Sequence, residues 1–186
     1  TVQEAAAKKA EDVQEDAANK AEDAQETAEE TEEVKEDRSI SVTDMTGRKI
    51  TLDEPATRIV ALSAADCEIL YAVGAGDALV GRGEYCDWPT EVFDVPSVQS
   101  GYETNIEQII DLEPQVLLMS TMAQTEEQVA QLEDAGIKVV VSDAQDIEGV
   151  YQSVEMIGAL MGKSEEAEAV VSDMKDAFAE LEDNAF

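Results

Sequence analysis

Histidine is absent from all 186 residues. That removes histidine general bases, serine–histidine triads and imidazole-ligated metal sites. Cysteine occurs twice, as Cys67 and Cys86, and two thiols without histidine make a poor zinc site. Aromatic residues amount to 4%, although a hydrophobic content of 44% is enough for a core. No apolar run is long enough to cross a bilayer. Positive charge is scarce too: 12 Lys and Arg face 44 Asp and Glu, a formal charge of −32. Such a balance argues against nucleic acid and anionic membrane surfaces as partners. The excess acid reads as a solvated surface that keeps the protein soluble, even in high salt. It also reads as a means of capturing a cationic ligand or docking to a basic patch, and both can hold.

The length implies one domain plus an appendage. Residues 1–38 are of low complexity, with Lys9-Ala-Glu-Asp-Val-Gln-Glu-Asp-Ala-Ala-Asn19 echoed from Lys20 to Glu30. An eleven-residue period can line up one helical stripe, but here it holds mostly alanine with Val13 and Val34. The expectation is an acidic spacer, helical in part or disordered, with helix pairing as the alternative. Residues 40–52 alternate apolar and polar around 44–47, which predicts a β-hairpin.

The stretch 58–89 organises the rest. Arg58-Ile-Val-Ala-Leu62 suits a buried strand, Ser63 to Asp66 can cap a helix, and Gly74-Ala-Gly76 can end it. Ala78-Leu-Val-Gly81 is the next strand, completing a β-α-β unit whose chemistry should lie in loops 63–66 and 84–89. Further strands are expected at 115–120 and 138–141, with helices at 105–112, 125–135 and 146–160. Thr125-Glu-Glu-Gln128 fits a capping box. In residues 164–183, Ala167, Val170, Val171, Met174, Phe178 and Leu181 form one apolar stripe. The expected class is α/β: a mainly parallel sheet flanked by helices, with a leading hairpin and a long trailing helix. Gly74-Ala-Gly76 and Gly81-Arg-Gly83 do not make a nucleotide site, because Gly74 follows a helix rather than a strand. They read as helix-end and turn glycines.

Arg58-Ile-Val-Ala-Leu-Ser63, Glu68-Ile-Leu-Tyr-Ala-Val-Gly74 and Tyr85-Cys-Asp-Trp-Pro89 stand in order with Asn105-Ile-Glu-Gln-Ile109, Leu112-Glu-Pro-Gln-Val116 and Leu132-Glu-Asp-Ala-Gly-Ile-Lys-Val-Val140. Over about 39–181 this series resembles the amino-terminal lobe of solute-binding proteins that serve ATP-driven importers of iron chelates, haem and cobalamin, the class III periplasmic binding proteins. The resemblance implies a ligand-binding lobe over 39–163 and a helix over 164–186 that bridges to a second lobe, which the chain lacks. Truncation is expected over a naturally single-lobed protein. It also implies export, with the signal removed or the sequence a fragment, and an inferred lipid anchor as the link to the membrane. The expected partners are an ABC permease and a small metal chelate, with no cofactor, no metal site and no catalysis, in a monomer.

Tyr85, Trp88, Tyr102 and Met122 fall in loops expected at one end of the sheet. Flat aromatic and thioether groups suit a large planar or greasy ligand, although loop aromatics also pin their own loops. Ser63, Ala64, Asp66 and Thr121 add polar and small surfaces from neighbouring loops. Ala64-Ala-Asp66 departs from the family, where proline and asparagine-like residues are frequent. A tyrosinate could reach iron. Cys67 and Cys86 are expected to form a disulfide, with free buried thiols and metal ligation as alternatives. Thr104-Asn-Ile-Glu107 has capping-box spacing, while the resemblance gives Glu107 a salt bridge to permease arginines. The competing functions are a passive cell-surface module and a carboxylate-dependent enzyme on the same scaffold.

Overall fold

The computed structural model describes residues 38–101, 103–121 and 125–184, with 182–184 as backbone alone. The spacer expected at 1–37, together with Tyr102 and Met122, lies outside the described residues.

A two-stranded hairpin comes first, β1 (Ile40–Thr43) antiparallel to β2 (Lys49–Leu52). Then follow β3 (Ile59–Ala61), α1 (Ala64–Ala72), β4 (Leu79–Gly83), β5 (Ser97–Val98), α2 (Ile106–Asp111), β6 (Val116–Met119), α3 (Glu126–Asp134), β7 (Lys138–Val141), α4 (Ile147–Leu160) and α5 (Ser164–Asn184). Five strands make one parallel sheet in the order β5-β4-β3-β6-β7.

β3 and β6 are buried at every position, the pattern of strands covered on both faces. Their side chains alternate between two cores. Ile59, Ala61, Val116, Leu118 and Val140 meet Leu70 and Val73 of α1, Val154, Ile157 and Leu160 of α4, and Ala167 and Val171 of α5. Val60, Leu62, Leu117, Met119, Val139 and Val141 meet Ile109 of α2 and Leu132 of α3. Helix ends follow local chemistry. Gly74 at φ 73° closes α1, a conformation that a Cβ disfavours. Thr125 and Gln128 form the expected capping box.

One expectation is corrected. Gly81 and Gly83 are not turn glycines, because β4 runs through both. A Cβ at Gly83 would stand 2.1 Å from the Leu62 carbonyl oxygen, so only glycine allows β4 to lie this close to β3 there. The α5 stripe is covered in part: Ala167 and Val171 are buried, and Phe178 and Leu181 are 47% and 66% exposed. α5 returns antiparallel to α4, with Gly158 meeting Ala167 and the Lys175 ammonium 4.9 Å from the Tyr151 ring. At ~1.5 Å per residue α5 is about 10 Å longer than α4, so its last two turns overshoot their partner.

The hairpin protects the sheet's β7 edge. Asp44, 3% exposed, accepts from the Thr46 N–H (3.0 Å), the Thr46 hydroxyl (2.7 Å), the Arg48 N–H (2.9 Å), Arg48 Nε (3.0 Å) and the Val141 N–H (3.3 Å). Arg48 also donates to the Val139 carbonyl at 2.8 Å, and Met45 N–H to the Val141 carbonyl at 3.1 Å. Edge groups that would otherwise recruit another strand are thereby used. Burial alone would raise the Asp44 pKa, but the bonds from Thr46, Arg48 and Val141 outweigh it and hold the carboxyl below its ordinary value. Asp44→Ala should cost about 2–3 kcal/mol by stranding these donors, read as a lower urea midpoint at neutral pH. The loss should shrink as pH falls through the depressed Asp44 pKa, where the wild-type carboxylate is itself protonated.

Candidate functional site

Parallel strands send all their carboxyl ends to one rim. The chain leaves β3 toward β4 and β5 on one side, then crosses to β6 and β7 on the other. The β3 and β6 exits diverge at this point, which makes it the topological switch point of the sheet. Ser63 follows β3, Tyr85 and Trp88 follow β4, and Thr121 follows β6, so these four expected residues share the rim.

Each exit is held by local bonds. Ser63 caps α1, accepting the Asp66 N–H at 3.1 Å and donating its hydroxyl to Asp66 Oδ2 at 2.7 Å. Asp66 is 1% exposed, whereas Ala64 is half-buried beside it. Thr121 donates to Asp143 in the β7 exit, bridging two loops. Tyr85 and Trp88 are 76% and 63% exposed, so neither ring is spent on the core. An open groove of about 460 Å³ is lined by Tyr85, Gln99, Ser100, Gly101 and Glu103, joining the β4 and β5 exits.

The β7 exit, residues 142–146, is part of the rim although no residue in it was a sequence candidate. Asp143 meets Thr121, Gln145 donates to Asp143 Oδ1 at 3.2 Å, and Ile147 at the start of α4 is 39% exposed. The available signal was topological: a fourth parallel strand must empty onto the same end. Met45 of the hairpin supports this exit, its sulfur lying 3.1 Å from the Asp143 N–H and 3.2 Å from the Ser153 hydroxyl.

Two further expectations change. Thr104 is not the cap of α2: Asn105 is, its Oδ1 accepting the Gln108 N–H at 3.0 Å. The helix starts one residue later than the box requires, so Glu107 stands exposed in its first turn and is not used for capping. Nor does a disulfide join Cys67 and Cys86, which are buried free thiols. Their sulfurs lie 3.7 and 4.0 Å from the Ala61 carbonyl oxygen, so the strand end rather than a covalent bond occupies both. Among the described residues no cluster of three His, Cys, Asp or Glu is arranged to hold a metal, and no helix is long and apolar enough to cross a membrane.

A parallel lobe with exposed rings at its strand exits is a scaffold suited to binding rather than to covalent chemistry. The periplasmic binding protein family model matches residues 59–185. The chain belongs to that family. An uncharacterized ABC transporter substrate-binding lipoprotein of Bacillus subtilis, YvrC, is 34% identical over 78% of this chain and 47% of its own length. The vitamin B12-binding protein of Photorhabdus laumondii is 29% identical over 67% and 46%. The crystal structure of a periplasmic heme binding protein from Pseudomonas aeruginosa superposes with a TM-score of 0.65 at 25% identity, covering 69% of this chain and 46% of that one. The chain thus spans about half the length of the curated relatives it matches.

Burial pushes the Asp66 carboxyl up to about 6, against the hydrogen bonds of Ser63 and Ser142, and the nearby Asp143 charge adds to the rise. A raised carboxylate binds its proton more tightly folded than unfolded, so stability is lost as pH rises from about 4 to above 6. The difference from the ordinary 3.8 is worth about 3 kcal/mol at most. Asp66→Asn should remove that slope. Urea unfolding at pH 4.5 and 7 should show the variant gaining on the wild type at the higher pH.

Proposed function

We propose that this chain supplies the amino-terminal, ligand-gripping lobe of an extracytoplasmic solute-binding component of an ABC importer, a monomer that captures a metal chelate and delivers it to a permease. The observation that carries the reading is the pair of exposed rings, Tyr85 and Trp88, on the rim at a topological switch point. Left in water, rings of this size cost free energy that a flat apolar guest recovers on burial. The family, and relatives that are a substrate-binding lipoprotein and a vitamin B12-binding protein, support the same reading.

Ser63, Ala64 and Thr121 flank the rings with hydroxyl and small surfaces, and Asp66 acts beneath them by holding Ser63. Tyr102 and Met122 belong to the same loops by sequence. The rim stretches 63–66, 84–89, 99–105, 120–125 and 142–146 contain no Lys or Arg but carry Asp66, Glu84, Asp87, Glu103, Asp143 and Asp146. A chelate edged with neutral amides therefore fits this rim better than one edged with free carboxylates, which would meet like charge. Phe178 and Leu181 overshoot α4 on the rim side, where a second lobe would cover them and close over the guest. Glu107, exposed and not used by its own helix, is the acidic contact for permease arginines. A lipid anchor would hold the assembly at the membrane.

Trp88 is the only tryptophan, so its emission reports the rim. Titration with cyanocobalamin should quench it saturably without product formation, and more tightly than hemin does. Tyr85→Ala should weaken the apparent Kd by about tenfold, the cost of one large ring contact. Flat titrations with cyanocobalamin, hemin and a ferric hydroxamate alike would leave a surface module in place of the importer reading, and conversion of any of them would make the chain an enzyme.

A further inference from the structure

We propose that Cys67 and Cys86 form a reversible disulfide that locks the aromatic loop 84–89 onto helix α1 when oxidised and frees it when reduced. The two thiols come from different elements, one from the first turn of α1 and one from the β4 exit, yet both sulfurs converge on the Ala61 carbonyl. The start of the loop cannot drift away. Gly83 is pressed against Leu62, and the Arg82 guanidinium bonds the Gly83 carbonyl at 3.2 Å and the Cys86 carbonyl at 3.1 Å. Cys86 is therefore held facing Cys67 by groups that take no part in the redox step.

The pair is asymmetric. Interaction with Cys67 holds the Cys86 thiol below its ordinary value, despite burial, and Arg82 adds to it. The same interaction, with burial, pushes the Cys67 thiol far up. Cys86, whose loop neighbours Glu84, Tyr85, Asp87 and Trp88 are exposed, is the attacking thiol. It attacks one sulfur of a low-molecular-weight disulfide, forms a mixed disulfide and displaces one thiolate. Cys67 then loses its proton to solvent and attacks the Cys86 sulfur, displacing the second. The protein gives up two electrons and two protons, and the oxidant leaves as two thiols. Both protein thiols are buried, but Glu84, Tyr85, Asp87 and Trp88 around Cys86 are exposed. Local opening of this short loop gives access while the sheet and α1 stay packed. The effect on the guest rests on the importer reading: a locked loop would fix Tyr85 and Trp88, and a seated guest would hinder opening.

The test uses the full chain, reduced and then incubated with oxidised glutathione, with thiols counted by alkylation in denaturant and intact mass. The expected result is loss of both alkylatable thiols in a monomer lighter by two hydrogen atoms, reversed by dithiothreitol. The oxidised form should melt about 5 °C higher, because the unfolded chain is then cross-linked. Trp88 emission should shift reversibly with oxidation in the wild type and not in Cys67→Ser, its fold checked by far-UV circular dichroism. Two thiols still alkylated, separate glutathione adducts, or linkage between chains would overturn the pairing. A cross-link that leaves Trp88 emission unchanged would overturn the loop lock. Thiol counting needs no guest, so absent cyanocobalamin binding in both redox forms would sink the importer reading and leave the cross-link standing.

Discussion

The parallel pairing of β3 with β6 is the constraint on which the rest depends. It places two strands from distant parts of the chain side by side, Ile59 against Val116 and Ala61 against Leu118, and points both carboxyl ends the same way. The chain diverges at this pair, so the place between the two exits is a topological switch point, where open α/β sheets bind their ligands. Strands this short depend on burial rather than propensity. Leu117 and Leu118 are inaccessible to solvent, one on each face, and truncating either would cost about 2–5 kcal/mol. The gap between the exits is thus held by both cores at once.

The rim divides its labour by burial. Four of its polar groups are spent on one another: Ser63 and Asp66 satisfy each other, and Thr121 and Asp143 tie two exits together. Its large apolar groups turn outward, with Tyr85, Trp88 and Ile147 all more than a third exposed. A rim built as a self-contained loop cluster would bury its rings. The inversion suits a surface that waits for an apolar partner, and internal bonds keep its shape until that partner arrives. The thiols below belong to the same support, since they lie where the exit carrying the rings meets the helix that Ser63 caps.

Much of this was legible in residue order. The apolar runs at 59–61, 116–119 and 138–141, the capping box at Thr125 and the glycine closing α1 follow from local periodicity and turn chemistry, and they appear where expected. Placing Ser63, Tyr85, Trp88 and Thr121 at one end needed only the rule that parallel strands share an exit side. Long-range features were less visible. Asp44 reads as a hairpin turn residue, and nothing beside it in the chain announces that Val141 and Arg48 converge on its carboxylate. The β7 exit carries no aromatic signal, so its role emerges only when Thr121 is seen to reach Asp143. Thr104 and Glu107 have capping-box spacing, but Asn105, one residue closer, takes the cap.

The amino-acid order by itself determined the alternation of strand and helix, the parallel class, the acidic character and the exclusion of histidine chemistry, because each depends on neighbours a few residues apart or on composition. Tertiary structure alone decided that Cys67 and Cys86 share one carbonyl as thiols and that Gly83 marks a strand contact. Each of these turns on distances between segments that meet only after the sheet has closed, and local spacing carries no record of such distances.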